Sequence, residues 1–230
     1  MDNNTLSKKI AEMPLFKGIK QSEIESMIPC LGVIQKRYSK NQFIIIDSED
    51  IANVGLVIDG RVHMLKEDHL GNRSHVSTIS VGGLFGESFA LRERPSYVSF
   101  QAATDSEILR LPLDKIIYYC SNSCPFHKRL VHNTFALLSE KNEQLMKSIE
   151  ILSKGTLRDK IVCYLSQIAD SESHSTITVP LNRTEMAAFL NSNRSAMTRE
   201  LSKMQDEGLI EISGNRFRLL FLNSDESRFT

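Results

Sequence analysis

The stretch LNRTEMAAFLNSNRSAMTRELSKMQDEGLIEISGNRFRLL, from Leu181 to Leu220, decides the fold of the C-terminal part of this 230-residue chain. Asn182 and Glu185 have the spacing of a helix-capping box, and an apolar stripe follows them. Asn191 can make a tight turn because Asn tolerates left-handed backbone, and Asn193 can cap the next helix. The stretch therefore predicts two helices joined by a short turn.

The second of these helices is predicted to bury one face and to leave the other in solvent. Its apolar residues Met197, Leu201 and Met204 recur at spacings of four and three. Gly208 ends the helix, and Ser213-Gly214-Asn215 has the residues of a hairpin turn. The two strands are predicted at Leu209–Ile212 and Arg216–Leu219. This order of elements is typical of a winged helix-turn-helix.

The outward face of the helix pair carries side chains of the types that contact DNA. Arginine bonds guanine through two hydrogen bonds, while amides and hydroxyls contact base edges and phosphates. We therefore expect double-stranded DNA as a partner. The expected contacts are Asn182, Arg183, Asn193, Arg194, Ser195, Thr198 and Arg199. Among them, Arg194 and Arg199 are expected to read bases, and Asn182 and Arg183 to hold phosphate at a helix N-terminus.

The composition is that of a globular protein without a membrane span. The 28 Lys and Arg residues balance the 28 Asp and Glu residues, so only the local cluster of basic residues in the motif favours DNA. No apolar run approaches the roughly 20 residues that a membrane span needs. The N-terminal residues lack the apolar core of a signal peptide, so we expect a cytoplasmic protein. The four cysteines lack the spacing of a zinc pair, and no metal is predicted.

The segment from Val33 to Leu113 is predicted to form an antiparallel β-roll or barrel, because short apolar runs alternate there with turns. Asp59-Gly60 signals a hairpin, and Gly71-Asn72 marks a second turn. Short helices are predicted before it, from Leu6 to Leu31. The predicted strands are Phe43–Ile46, Val54–Ile58, Val62–Leu65, Val76–Ile79, Val98–Phe100 and Ile108–Leu111.

A long helix is predicted from Pro125 to Ser153, where no Gly or Pro interrupts the chain after its first residue. An apolar seam repeats along it with heptad spacing. The seam consists of Val131, Phe135, Leu138, Asn142, Leu145, Ile149 and Leu152. A lone Asn within such a seam fixes the register of two strands, which favours a parallel homodimer. The alternative is that the stripe packs on the roll of its own chain.

Together these elements predict an α+β protein of three parts. Residues 1–124 form an effector-sensing roll with N-terminal helices, 125–153 a dimerisation helix, and 154–230 the winged helix-turn-helix. Gly155 marks a hinge between the last two parts. After it we expect a helix from Thr156 to Ala169, a polar loop from Ser171 to Ser175 and a strand from Thr176 to Val179.

This order of parts resembles the Crp/Fnr family of bacterial transcription regulators, from Leu15 to about Leu220. The residues that carry the resemblance are Tyr38–Gln42, Ile58–Val62 in a hairpin, Gly83–Ser88, Thr184-Glu185 and Arg194–Arg199. The resemblance implies a roll of the cyclic-nucleotide-binding type, a double-stranded β-helix. It also implies a homodimer that responds to a small-molecule effector, binds a palindromic operator and works with RNA polymerase. It implies no enzymatic activity.

The resemblance also implies an effector pocket in the roll. Its expected residues are Gly86, Glu87, Ser88, Arg94, Ser96 and Asn142. Cyclic-AMP-binding members pair a Gly-Glu with an Arg-Ser ten residues on. Gly86-Glu87 matches the first pair, but Pro95 separates Arg94 from Ser96. Because a buried phosphate without a positioned guanidinium is costly, we expect an effector other than cyclic AMP.

Other sensors and one other class of protein remain as alternatives. A haem-sensing regulator could use His63, His69 or His75, although single histidines on a roll are usually surface residues. A redox-sensing regulator with an iron–sulfur cluster would need several N-terminal cysteines, and only Cys30 lies there. A cupin-like metalloenzyme would need a His-x-His motif, which the chain lacks.

Overall fold

The chain forms two compact units, residues up to Ser139 and residues from Glu140 onward. The structure is a computed structural model that describes residues 3–92, 94–118, 126–172 and 175–223. The N-terminal unit has two apolar cores and the C-terminal unit has one. The domain limit expected between residues 124 and 125 lies outside the described residues.

The N-terminal unit begins with two helices, α1 (Asn3–Ile10) and α2 (Gln21–Leu31), with a single 3-10 turn at Pro14–Phe16 between them. In α2 the Glu23 side chain accepts from the backbone of Lys20, which fixes the start of the helix. The apolar faces of both helices enter one core with strands of the roll. The expected short helices are thus present, and they cover one side of the roll.

Eight strands in two antiparallel sheets form the roll, with orders β1-β8-β3-β6 and β2-β7-β4-β5. Their bounds are β1 Ile34–Tyr38, β2 Phe43–Ile45, β3 Asn53–Asp59, β4 Val62–Glu67, β5 Arg73–Ile79, β6 Leu84–Phe85, β7 Ser99–Ala102 and β8 Ser106–Pro112. Short helices follow β6 and β8, namely α3 (Glu87–Ala90) and α4 (Leu113–Ile117). One core lies between the sheets and draws on both, and the other lies between the first sheet and the helices. The predicted α+β class is confirmed.

The Asp59–Gly60 turn is not a hairpin, so that prediction is wrong. The strands on its two sides belong to different sheets, since β3 pairs with β8 and β4 pairs with β7. The chain bends there together with the β7–β8 connection, and Arg61 N donates to Thr104 Oγ1 over 3.1 Å. Gly60 has φ 81°, and a Cβ would lie 2.3 Å from Ser106 Oγ, so the corner requires glycine.

The turn predicted at Gly71-Asn72 is present, and it is the turn of a hairpin. It joins β4 to β5, which pair in an antiparallel register from Val62↔Ile79 to Glu67↔Arg73. The Asp68 side chain accepts from Leu70 N and Asn72 N inside the turn. Two other strands, β1 and β6, were not predicted. The first has a mostly polar, exposed sequence, and the second is only two residues long.

The long helix α5 spans His127–Ser153, and its predicted first residue, Pro125, lies outside the described residues. Within the N-terminal unit, Leu130 is buried in the helix-covered core. The Asn133 amide donates to Leu15 O over 3.0 Å and to Lys17 O over 2.9 Å. In the other unit, Ile151 belongs to the core of that C-terminal unit. The face that packs on the cores therefore differs from the predicted seam.

The C-terminal unit follows α5 with α6 (Leu157–Glu172), β9 (Thr176–Thr178), α7 (Arg183–Phe189), α8 (Arg194–Asp206), β10 (Ile210–Ser213) and β11 (Arg216–Leu219). The strands form a small antiparallel sheet in the order β10-β11-β9. The polar loop predicted from Ser171 begins later, because polar Ser171 and Glu172 still belong to the last turn of α6. The winged helix-turn-helix is present as predicted.

A buried carboxylate ties α1 to the roll. Glu107 on β8 accepts from Lys9 Nζ over 2.6 Å, from Arg37 Nε over 3.0 Å and from Gln35 Nε2 over 2.8 Å. Burial alone would raise the pKa of Glu107, but these hydrogen bonds outweigh it and lower the pKa to about 2. The ionised form therefore stabilises the folded unit, fully above the ordinary glutamate pKa and less and less as the pH falls toward 2.

We predict that Glu107→Gln lowers the free energy of unfolding by about 2 kcal/mol at pH 7, since it removes a buried, charge-assisted network. The loss should shrink below about pH 4.5, where the carboxyl of the unfolded chain becomes protonated, and should be smallest near pH 2, where the folded carboxylate is protonated as well. Urea unfolding of the full chain, followed by circular dichroism at several pH values, measures both. Glu67→Gln is the matched control, because Glu67 forms an exposed ion pair with Arg73. Equal small effects of both variants at pH 7 would contradict the prediction.

Candidate nucleic-acid interface

The first helix of the motif, α7, begins with the capping box that the sequence indicates. The Asn182 Oδ1 atom accepts from Thr184 N and from Glu185 N over 2.9 and 3.0 Å. In return the Glu185 carboxylate accepts from Asn182 N over 2.9 Å. Met186 and Ala187 are then buried in the core of the C-terminal unit. The start and direction of α7 are thus fixed by its own local sequence.

The turn between α7 and α8 depends on two asparagines. Asn191 has φ 51°, the left-handed conformation predicted for it. Asn193 is the N-cap of α8, and its Oδ1 accepts from Ala196 N over 2.7 Å. Arg194 is the first residue of α8, directly after this cap. Its side chain therefore projects from the first turn of that helix.

The helix α8 has one buried and one exposed face, as its spacing predicts. Met197, Leu201 and Met204 are each at most 3% exposed. Arg194, Ser195, Thr198 and Arg199 are exposed. Because the apolar face anchors the helix, the polar face is held toward solvent in one orientation.

An ion-pair network that the sequence analysis missed fixes α8 against α6. Arg158 Nε donates to Glu200 Oε1 over 2.6 Å, and its two terminal nitrogens donate to the Glu207 carboxylate over 2.6 and 2.9 Å. The side-chain hydrogen bond from Arg158 lowers the pKa of Glu207. The three residues are 42 and 49 positions apart, so no local pattern could have revealed this network. The network ties Glu200 of α8 and Glu207 at the C-terminal end of α8 to Arg158 of α6.

Arg183 lies between α7 and the β10–β11 hairpin. Its guanidinium lies 4.6 Å from the centre of the Phe217 ring, and one nitrogen donates to Gly214 O over 3.1 Å. Burial lowers the pKa of Arg183. Since a guanidinium has five N–H donors, these contacts leave capacity for a phosphate while they also position the hairpin.

The seven residues expected to contact DNA do not have equal freedom. Asn182 and Asn193 use their side-chain oxygens as helix caps, and the Thr198 hydroxyl donates to Arg194 O over 2.8 Å. The side chains of Arg194, Ser195 and Arg199 form none of the hydrogen bonds or ion pairs found among the described residues. These three therefore have the chemistry best suited to base edges, and their role in DNA contact stays a prediction.

Five of the six residues expected around an effector, all but Asn142, belong to the unit that contains the roll. Gly86 has φ 84° and is the N-cap of α3, which places Glu87 in its first turn. Ser96 is 2% exposed, and its hydroxyl donates to Val98 O over 2.6 Å. Arg94 is exposed, while Asn142 belongs to the other unit. The hydroxyl of Ser96 thus has an internal partner, and no guanidinium accompanies it into the core.

Large apolar side chains fill the space between the two sheets. The Phe85 ring packs directly on Gly55, where a Cβ would lie 2.2 Å from it. Its centroid is 4.9 Å from that of Phe100, and both rings are 2% exposed. Tyr38 and Phe89 complete the same core from the two sides. This packing stabilises the roll.

Most of the predicted seam on α5 is exposed. Phe135, Leu145 and Ile149 are each more than 60% exposed, and Leu152 is 42% exposed. Val131 and Leu138 are half-buried, and Asn142 is exposed. Both the homodimer and the alternative packing on the roll of the same chain stay predictions. An apolar stripe of this length in water is a candidate contact surface.

No helix among the described residues combines the length and apolarity needed to cross a membrane. The same residues contain no group of three or more His, Cys, Asp and Glu side chains placed to hold a metal ion.

Two family models match the chain, one in each unit. A cyclic nucleotide-binding domain matches residues 35–123, and a Crp-like helix-turn-helix domain matches residues 159–224. Among curated proteins, a probable transcriptional regulator, flp, of Lacticaseibacillus casei is 23% identical and covers 91% of this chain and 93% of its own. The nitrogen fixation regulation protein FixK of Azorhizobium caulinodans is also 23% identical, covering 80% of this chain and 73% of its own.

Solved structures show the same fold at low identity. A CooA mutant from Carboxydothermus hydrogenoformans has a TM-score of 0.59 at 19% identity, over 83% of this chain and 85% of that one. The c-di-GMP-responsive regulator CLP of Xanthomonas campestris has a TM-score of 0.58 at 18% identity, over 87% and 99%. With both domain types matched in the predicted order, the chain belongs to the Crp/Fnr family of DNA-binding transcription regulators, not to a family of enzymes.

Proposed function

We propose that this regulator is a homodimer that binds a palindromic operator through α8 and responds to a small-molecule effector other than cyclic AMP. RNA polymerase is its expected partner at the promoter, by analogy with the family. The observation that carries the proposal is the exposed face of α8, where Arg194, Ser195 and Arg199 lie opposite a buried apolar stripe.

The N-terminal end of α8 suits a major groove. A recognition helix presents its first residues to base edges, and Arg194 is the first residue of α8. Arg199 lies five positions further along α8, which is one full turn plus about 140° around the helix axis. Both can form bidentate bonds to guanine O6 and N7. Ser195, the residue after Arg194, is short and lacks the carboxylate that accepts from a cytosine amino group. We therefore propose that no acidic side chain reads a base pair together with either arginine.

The exposed stripe of α5 supports a parallel homodimer. Phe135, Leu145 and Ile149 are the most exposed apolar positions of the seam, and burying them against a second copy would remove a large apolar area from water. Asn142 lies at the centre of the seam, where paired amides favour two strands in one register. Two copies would also double the basic footprint that a single neutral chain offers to DNA.

Signal transfer is proposed to run along α5, because this helix contributes to both units. An effector that bound the roll would shift the seam from Val131 to Leu152. The break between α5 and α6, at residues 154–156, would convert this shift into a new spacing of the two α8 helices. Operator half-sites lie about one helical turn apart, so a small change in spacing alters affinity.

Cyclic AMP fits the roll poorly. A buried cyclic phosphate needs a charged partner, but Arg94 is exposed and Ser96 already donates to Val98 O. The space between the sheets is occupied by aromatic rings, among them Phe85 and Phe100. These contacts support an effector of different chemistry or a different position in the roll.

The first prediction concerns base reading. Arg199→Ala should weaken binding to the preferred site by about 1–3 kcal/mol and relax the preference at one base pair, because a bidentate contact is lost. Selection from random DNA, followed by affinity measurements at fixed salt, gives both quantities. A loss that is equal for all sequences would make Arg199 a phosphate contact and contradict the assignment.

Arg183→Ala is the matched comparison, because Arg183 lies on α7 beside the hairpin. If Arg183 holds a phosphate, the variant should weaken all sequences alike and reduce the slope of log K against log salt by about one. An unchanged slope would show that Arg183 only positions the hairpin.

The second prediction concerns dimerisation. Leu145→Asp combined with Ile149→Asp should give monomers, since four carboxylates would face one another in the apolar seam. Light scattering of the full chain measures the mass. Gln144→Asp is the control, because it adds a carboxylate to the same helix at an exposed position outside the seam. An intact dimer in the double variant would contradict the seam.

The third prediction concerns the effector. Calorimetry of the full chain with cyclic AMP should show weak binding or none, because the phosphate lacks a buried cationic partner. Low-micromolar affinity would contradict this prediction. In that case Arg94→Ala should abolish binding if the exposed guanidinium turns inward to the phosphate.

A further inference from the structure

Three polar atoms converge on the β4–β5 hairpin of the roll. His63 Nδ1 lies 3.1 Å from His75 Nε2. Thr78 Oγ1 lies 3.0 Å from the first nitrogen and 2.9 Å from the second. The three atoms form a nearly equilateral triangle on the side of β4 opposite the inner core, since neighbouring Val62 and Met64 pack into that core.

A β-bulge creates this triangle. His75 and Thr78 are three residues apart, so on a regular strand they would point to opposite faces. The register shifts between Met64 and Leu65, so that His63 pairs with Thr78 and Leu65 pairs with His75. The extra residue on β5 turns both side chains toward His63. Bulges are frequent where a strand re-aims side chains for a function.

The dimensions of the triangle match one face of a metal coordination sphere. Ligands bonded at about 2.1 Å and at right angles to one another, as in octahedral or square-planar coordination, are separated by about 3.0 Å. The observed separations are 2.9, 3.0 and 3.1 Å. The two imidazole rings lie at 88° with centroids 4.7 Å apart, so their nitrogens are the facing atoms. The three atoms are hydrogen-bonded to one another, and a bound ion would take the place of these hydrogen bonds.

We propose that this site binds one divalent ion of the kind that prefers imidazole nitrogen, such as Zn²⁺, Cu²⁺, Ni²⁺ or Co²⁺. His63 Nδ1 and His75 Nε2 are the principal ligands, the Thr78 hydroxyl is a weaker third, and water completes the shell. The ion would cross-link β4 to β5 at the bulge. The site is independent of the DNA-binding proposal, because it needs only the roll.

The protonation state of the site suits a metal. A histidine must be neutral to coordinate, and burial, His75 and Arg61, in that order, lower the pKa of His63. The positive charge of Arg61 opposes a bound cation as well. That opposition is limited because Arg61 and His75 are exposed and solvent screens charges at the surface.

The sequence alone does not reveal this site. The two histidines are twelve residues apart, and no His-x-His or close cysteine pair marks them. Only the hairpin and its bulge bring the nitrogens together.

Titration of the full chain, prepared without a histidine tag, with Zn²⁺ tests the proposal by calorimetry. We expect one ion per chain, and a loss of affinity of at least about tenfold in His63→Ala and in His75→Ala. Thr78→Val should have a smaller effect, and Thr78→Ser should restore the wild-type value. His69→Ala and His132→Ala are matched controls, since both remove an exposed histidine outside the triangle and should leave binding unchanged.

Electron paramagnetic resonance with Cu²⁺ identifies the ligands directly. The wild-type spectrum should show coupling to two imidazole nitrogens, and each single variant should show one. Zn²⁺ should also raise the midpoint of thermal unfolding in the wild type but not in the His63→Ala variant, which must itself match the wild type in the presence of chelator. Absence of Zn²⁺ binding in the wild type would overturn the proposal. So would equal binding by the wild type and both histidine variants.

Discussion

The rest of the molecule depends on one constraint at the helix α5. Different faces of this helix must pack against the cores of the two units, and a further apolar face remains exposed. A helix turns 100° per residue, so Leu130 and Asn133 can face the first core while Phe135 faces elsewhere. Asn133 is buried at little cost because its amide bonds two backbone carbonyls. Toward the C-terminal end of α5, Ile151 belongs to the core of the C-terminal unit. What remains is an apolar stripe that neither core covers.

The parts of the fold that local chemistry determines could be predicted from the sequence. Asn191 and Asn193 act within four residues of themselves, so the turn and the start of α8 follow from the residues alone. The corner at Asp59–Gly60 could not be predicted in the same way. The dipeptide specifies a change of direction, but which strands then pair depends on β7 and β8, some 40 residues on. The bulge at Met64–Leu65 is equally nonlocal, since it is defined by the register of two strands.

The candidate interface was predictable in its position but less so in the role of each residue. The sequence shows which side of α8 is polar, because its apolar stripe is regular. It does not show that a polar side chain is already engaged. Asn182 and Thr198 each have a partner within their own helix or its cap, which leaves fewer groups for base contact. Arg183 shows the same limit, because its contacts with Phe217 and Gly214 arise from the tertiary fold.

The neutral net charge of the chain ceases to be an objection once the acidic residues near α8 are placed. A recognition helix that carried unpaired carboxylates beside its arginines would offer phosphates a field close to zero. Here Glu200 and Glu207 both accept from Arg158, a cation of α6. Arg158 therefore offsets half of their negative charge, and Arg194 and Arg199 on the other face are not used for that purpose. The same contacts that fix α8 on its neighbour thus keep positive charge on the side that we propose faces DNA.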